Sequence, residues 1–312
     1  NAYLGETMLK SLPNIYAIED IDELMAKIRK YDVAFHSATG HIDSWQGHVN
    51  ANKEGKWIVG RGPWVGDDSY ARVFAISDMM KKENVSVSLS LGNYGKDFAP
   101  FVEYDKKHPP QYVTDQFGNV IGVSYKQADK TRYAFQIRLE DVTPLNLDYN
   151  GLQAFLAIKA LATQESPAYI HCMAGLGRTG MAKLIFTSLE NEEIVQCVDR
   201  ILDNQNKLPT EAYKSLGEKI NDQLSAIRRV HFSVQSKQQL EVAVNQIILL
   251  RQLEKLNACR PEKTEKDIKR AIDALREKLP LVERGPDETT NIFVGDGGSA
   301  PLSFGRVVTA KG

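Results

Sequence analysis

His171-Cys172-Met173-Ala174-Gly175-Leu176-Gly177-Arg178-Thr179-Gly180 is the stretch from which the rest of the chain is read. A short apolar run, Ala168-Tyr169-Ile170, precedes it, and a helix-forming segment opens near Met181. A strand, a turn with spaced glycines and a helix, in that order, let main-chain N–H groups converge at a helix N-terminus. Such a point attracts a dianion such as phosphate. Arg178 stands six positions after Cys172, so a closed loop brings its guanidinium to the same anion, where the planar fork suits two phosphate oxygens. Cys172 lies at the base of that positive field. A free thiol titrates near 8.5, and helix N-termini with nearby cations lower this to roughly 3.5–7.5. A thiolate so placed is ready to attack phosphorus and form a phosphocysteine intermediate. His171 reads as orienting loop and thiolate through main-chain hydrogen bonds. The Thr179 hydroxyl reads as a donor that eases departure of the sulfur. Glycine turns before helices are common, and a lone cysteine is usually a small buried hydrophobe. His, Cys, spaced Gly, Arg and Thr in one loop point instead to chemistry.

The loop resembles the signature of the cysteine-dependent protein tyrosine phosphatase superfamily: His-Cys, five residues, then Arg-Ser/Thr-Gly. Ala174-Gly175-Leu176-Gly177-Arg178 is especially similar to the loops of the cell-division-cycle and regenerating-liver phosphatases, in the dual-specificity branch. The resemblance implies a phosphate cradle made by Arg178 and the amides of Met173, Ala174, Gly175, Leu176, Gly177 and Arg178. It also implies an aspartic acid on an upstream loop that protonates the leaving oxygen and then activates water. Leu139-Glu140-Asp141-Val142-Thr143-Pro144 resembles that loop, and Asp141 lies 31 positions before Cys172. Asp141 is the assigned acid and base, with Glu140 as its competitor. A glutamine that positions the hydrolytic water is implied further on; Gln223 is the first choice and Gln205 the second. No metal or other cofactor is implied. The resemblance extends more weakly over Trp57–Leu91 and covers about 170 residues in all.

Three departures bear on substrate. A Trp-Pro-Asp acid loop is absent, because Leu139-Glu140 precedes Asp141. The Asn-Arg-Tyr phosphotyrosine-recognition motif is echoed only faintly, by Thr131-Arg132-Tyr133. Lipid phosphatases that resemble the family often carry lysines inside the loop, where Met173, Ala174 and Leu176 stand here. A highly phosphorylated inositol head group would need its counter-charges from Lys130, Arg132 or the basic C-terminal helices. A phosphoprotein is therefore the first expected substrate, of dual or tyrosine specificity, and a phosphoinositide or inositol phosphate the second. A binding module that holds phosphorylated partners without turnover is the non-enzymatic alternative, and a docking protein with an attached phosphatase is another.

Working outward, the chain has 312 residues, 42% hydrophobic and 25% charged, with 39 Lys plus Arg against 40 Asp plus Glu. This suits a globular chain of about two domains and argues against a nucleic-acid binder, which would carry a basic excess. The three cysteines, Cys172, Cys197 and Cys259, are too few for a disulfide scaffold, so a reducing, cytoplasmic compartment is expected. An effector acting in another cell's cytosol would meet the same conditions. No apolar run approaches the roughly 18 residues of a membrane span. The first residue is Asn1 rather than Met, which suggests a processed or trimmed chain.

Three segments are expected: an N-terminal helical extension over 1–56, a phosphatase domain over 57–228, and a C-terminal helical extension with a tail over 229–312. The fold expected is α/β, a twisted and mostly parallel sheet flanked by helices. In the first segment Ile21, Leu24, Met25 and Ile28 recur at helical spacing behind Asp20, and 36–55 reads as loop. Strands are predicted at Lys56–Val59, Val85–Leu91, Gln111–Thr114, Val120–Tyr125, Tyr133–Leu139 and Ala168–His171, with a turn at Asp115–Asn119 and a helix over Leu152–Leu161. In the third segment Leu240, Val244, Ile247 and Leu250–Leu256 make one apolar stripe. Ile268, Ile272, Leu275 and Leu279 make another behind Thr264 and Asp267. His36, His41, His48 and Asp43 match no zinc spacing and read as loop residues. Trp45, Trp57 and Trp64 read as packing residues. Cys197 reads as helix core rather than a disulfide partner of Cys172.

Overall fold

A strand buried along its whole length is apolar on both faces, and Ala168-Tyr169-Ile170-His171-Cys172 has that pattern apart from His171. The computed structural model describes residues 51–62, 76, 78–91, 107–108, 110–137, 139, 145–172, 177–204, 208, 210–227 and 236–280. Its strands are β1 (Asn52–Glu54), β2 (Trp57–Arg61), β3 (Val87–Ser90), β4 (Gln111–Thr114), β5 (Val120–Gln127), β6 (Lys130–Gln136) and β7 (Ala168–Cys172). They form one sheet in the order β1-β2-β7-β3-β6-β5-β4. The four central strands, β2, β7, β3 and β6, are parallel, and β1, β5 and β4 add antiparallel edges. The helices are α1 (Tyr149–Leu161), α2 (Gly177–Glu190), α3 (Glu192–Asp203), α4 (Thr210–Ala226), α5 (Ser236–Ala258) and α6 (Glu265–Lys278). The expected α/β architecture, parallel at its centre and flanked by helices, is the one observed.

Parallel pairing puts Val87, Leu89, Phe135, Ala168, Ile170, Cys172, Trp57 and Val59 on one face. All are buried in one cluster with residues of α1 and α2. Phe186 of α2 lies between Trp57, 4.5 Å away, and Phe155 of α1, 4.7 Å away, ring centroid to ring centroid. Each stacked pair adds about 0.5–1.5 kcal/mol beyond its buried area. Trp57 is thus a packing residue, as expected. The opposite face carries Ser88, Ser90, Ala134, Gln136, Tyr169 and His171, all buried.

Several boundaries differ from the sequence reading. Asn52–Glu54, read as loop, is a strand because it pairs with Trp57–Val59 across a tight turn at Gly55, where φ is +58°. A boundary at 56/57 would cut this hairpin in two. β5 and β6 run on to Gln127 and Lys130 and join through Ala128 and Asp129, both left-handed (φ 48° and 64°). No glycine announces that turn. The turn at 115–119 is as predicted: Asp115 Oδ1 accepts from the amides of Phe117 and Asn119 at 2.8 and 2.9 Å.

The larger difference concerns α5. A stripe would leave a solvated face, yet Val242, Ala243, Val244, Ile247, Ile248, Leu249, Leu250, Leu253 and Leu256 are all buried, in the cluster that holds Ile170 and Cys172. α5 packs against α1, α2, α3 and α4. Its Arg251 forks onto Asp199 of α3 at 2.8 and 2.9 Å, and its Glu254 meets Lys159 of α1 at 3.0 Å. The segment expected as a C-terminal extension therefore completes the central core. α6 keeps the predicted cap, with Thr264 and Asp267 in a reciprocal capping box, and buries Ile268 and Ile272. The helix read at 21–28, the loop histidines, Trp45 and Trp64 lie outside the described residues.

Candidate active site

Parallel strands end together, and β2, β7, β3 and β6 deliver their carboxyl ends to one edge of the sheet. Cys172 is the last residue of β7. Leu91, the residue after β3, donates its N–H to His171 O at 2.8 Å and so lies beside Cys172 at the common strand spacing of about 4.8 Å. Arg178 sits in the first turn of α2 and is buried. Its Nη1 donates to Leu91 O at 3.3 Å and to Leu139 O at 2.6 Å. Two main-chain carbonyls at the ends of two strands thus hold the guanidinium where β7 delivers Cys172. The sequence identified the arginine but not these anchors, because carbonyls carry no residue signature.

His171 is fully buried and stacks on Tyr169, ring centroids 5.2 Å apart. Burial disfavours its charged form and lowers its pKa from 6.5 to about 3, so the imidazole is neutral at physiological pH. Tyr169 donates its hydroxyl hydrogen to Arg61 O. Gly62 lies so close to β7 that a Cβ there would stand 2.1 Å from Cys172 O and 3.1 Å from His171 Nδ1. Only a residue without a side chain allows this approach. Thr179 is buried at the start of α2, and its Oγ1 has no hydrogen-bond partner among the described residues.

Gly177 opens α2, four residues before the start read near Met181, and is half-buried. Met173, Ala174, Gly175 and Leu176 lie outside the described residues, as do Glu140, Asp141 and Gln205. Leu139, two residues before Asp141, is the residue whose carbonyl holds Arg178. Gln223 is not brought to the strand ends. It lies on α4, and its Oε1 accepts from Asn191 Nδ2 at 3.1 Å. Asn191 follows the last residue of α2, about 20 Å of helix axis from Arg178. Gln223 supports the N-cap of α3 instead.

Lys130 and Arg132 are also displaced from the role considered for them. Both bind Asn84, at the start of the parallel strands, Lys130 Nζ at 3.1 Å from Asn84 Oδ1 and Arg132 Nη2 at 2.9 Å from it. Arg132 Nη1 donates further to Val85 O at 2.8 Å. β6 runs parallel to β3, so these cations stand at the end of the sheet opposite Cys172. The echo Thr131-Arg132-Tyr133 is at that wrong end too. A group the sequence reading passed over is Lys183 of α2, fully buried with Nζ 3.0 Å from Glu54 Oε2. None of Cys172, Cys197 and Cys259 is in a disulfide, and Cys197 is half-buried on α3. No cluster of metal-ligating side chains occurs among the described residues, and none of their helices is long and apolar enough to cross a membrane.

No family model matches the chain, and no curated protein matches it. The solved structures similar to it include protein tyrosine phosphatases. The catalytic domain of human protein tyrosine phosphatase non-receptor type 18 shares 14% identity over 70% of this chain and 77% of that chain, with a TM-score of 0.40. PTPN18 in complex with HER2-pY1196 phosphopeptides matches at 14% identity over 70% and 75%, TM-score 0.41. TcPTP1 of Trypanosoma cruzi matches at 17% identity over 73% and 76%, TM-score 0.38. What the chain does is read from its own residues.

Proposed function

We propose that the chain hydrolyses phosphate monoesters through a phosphocysteine intermediate, as a phosphatase of the protein tyrosine or dual-specificity type. The observation that supports this most directly is the guanidinium of Arg178, held by Leu91 O and Leu139 O beside the strand end that bears Cys172. In the first step Cys172 Sγ attacks phosphorus and the ester P–O bond breaks. Asp141 gives its proton to the departing oxygen. In the second step water attacks the same phosphorus, its proton passes to the Asp141 carboxylate, and the S–P bond breaks to release phosphate and thiolate. Arg178 and the amides of 173–178 stabilise the charge spread over the equatorial oxygens, the role a metal plays elsewhere. The buried Thr179 hydroxyl, unsatisfied by any described group, is suited to meet the sulfur as it leaves. The thiol must stay reduced, so a reducing compartment is the proposed place of action.

A phosphoprotein is favoured over a highly phosphorylated inositol, because Lys130 and Arg132 are committed at the far end of the sheet. Turnover of a small aryl phosphate in chelator-treated buffer tests the reading. Wild type turns over, Cys172→Ser falls by at least about 10⁴-fold, and Asp141→Ala falls by about 10²–10⁴-fold. Equal inertness of wild type and Cys172→Ser would leave a phosphate-binding module in its place.

A further inference from the structure

We propose that Arg61 is a second anion-binding arm beside the cradle, selecting phosphopeptides that carry a carboxylate next to the phosphorylated residue. The proposal rests on the phosphatase reading above. Arg61 is the last residue of β2 and pairs in register with Cys172. Residues paired in register share a face of the sheet, so Arg61 and Cys172 stand side by side, about 4.8 Å apart along the hydrogen-bonding direction. Trp57 and Val59 of the same strand are buried on that face against α2, so the alternation carries Arg61 to the mouth end of the α2 side. Its side chain is only half-buried, and its guanidinium makes no hydrogen bond or ion pair with a described residue. The backbone that carries it is nevertheless fixed, by Tyr169 on Arg61 O and by Gly62 against Cys172 O. A long cationic side chain on a rigid strand end beside the nucleophile is placed to meet a group adjoining the scissile phosphate.

The surrounding charges decide what that group is. Lys183 and Lys56 are paired with Glu54 and Glu190, and Lys130 and Arg132 serve Asn84. Among these described cations Arg61 alone is uncommitted, which suits a single extra negative charge. A glutamate or aspartate beside the phosphoresidue supplies one carboxylate, matched to the planar fork. An inositol ring with several phosphates would demand more counter-charge than one arginine provides.

The test uses the whole chain and two phosphotyrosine peptides that differ only by Glu or Gln next to the phosphotyrosine. Wild type favours the Glu peptide in kcat/KM by about fivefold at low salt, and the preference shrinks at high salt. In Arg61→Gln the ratio falls to about one, and in Arg61→Glu it inverts. An absent preference in wild type, or a ratio that survives in Arg61→Gln, overturns the proposal. So does a stronger preference of Arg61 for a soluble inositol bisphosphate than for the Glu peptide. If no substrate turns over, the phosphatase reading is what fails. The arm is then read by calorimetry, with the same peptides titrated onto Cys172→Ser and onto Cys172→Ser with Arg61→Gln. A Glu-over-Gln affinity ratio that vanishes with Arg61 upholds it, and an unchanged ratio overturns it.

Discussion

At the residue scale, His171 ties stability to pH with a definite sign. In the folded chain burial delays its protonation to about pH 3, whereas an unfolded chain takes the proton near 6.5. Between those values the unfolded state binds more protons, so stability is full above about 6.5 and falls as pH drops toward 3. The loss by pH 5 is on the order of 2 kcal/mol. Asp199, whose carboxyl Arg251 holds below the usual range, gives up its contribution only at lower pH, and comparison with His171→Gln separates this histidine from other groups. Urea unfolding at pH 7 and pH 5 reads this out. The difference between the two pH values shrinks in His171→Gln; if it is as large there as in wild type, His171 is not its source. Gly62 gives a second residue-scale expectation. A methyl at this position would collide with Cys172 O, so β2 and β7 must part or the Cys172 peptide must turn. Gly62→Ala is expected to cost about 2 kcal/mol of stability and to slow aryl phosphate turnover about a hundredfold. Melting curves and steady-state kinetics on one preparation check both numbers.

Elements show how far local signals reach. β3, β4, β7 and the turn at 115–119 were legible because alternation, buried apolar runs and an aspartate-led turn are local. Asn52–Glu54 was not, since it has no apolar periodicity and becomes a strand only by pairing with β2. Ala128-Asp129 hid a hairpin because alanine is no usual left-handed former and no glycine follows the aspartate. At the site, the order Cys172 to Arg178 to α2 was readable from spacing and glycine content. The anchoring of Arg178 by Leu91 O and Leu139 O was not, and neither was the companionship of Arg61 and Cys172, which exists only once β2 and β7 are neighbours. Gln223 fails for a related reason: distance along the chain does not say toward which end of α2 a later helix turns its glutamine. That placement has its own consequence. Asn191 accepts from Ile194 N at 3.2 Å and donates to Gln223, so it caps α3 and ties it to α4. Asn191→Ala is expected to lower unfolding stability by about 1 kcal/mol, measured by denaturant titration. A loss below a few tenths would mean that the cap contributes nothing.

For the whole molecule, the question is where the core that carries the candidate site stops. The apolar stripes over 240–256 and 268–279 suggest a helical segment set apart from about residue 229. The core ignores that division, for α5 sends apolar residues into the cluster that supports β7 and α2. Each large one, Ile247, Ile248, Leu249, Leu250 or Leu253, contributes about 1.5–3 kcal/mol on burial. Together they rival the roughly 5–15 kcal/mol by which a whole domain is stable. A chain ending at Ile227 therefore exposes the apolar flanks of α1, α2, α3 and α4 at once, and it is expected to lose cooperative unfolding and all turnover. Leu250→Ala, a milder cut in the same place, is expected to lower stability by 2–5 kcal/mol while the fold persists. Arg251→Gln, which removes only the partly exposed fork on Asp199, is expected to cost no more than about 1 kcal/mol. Circular dichroism melts of the three variants rank these losses. Should the chain ending at Ile227 melt cooperatively and hydrolyse aryl phosphate at the full-length rate, α5 would be a separable appendage and the single-core reading would fall.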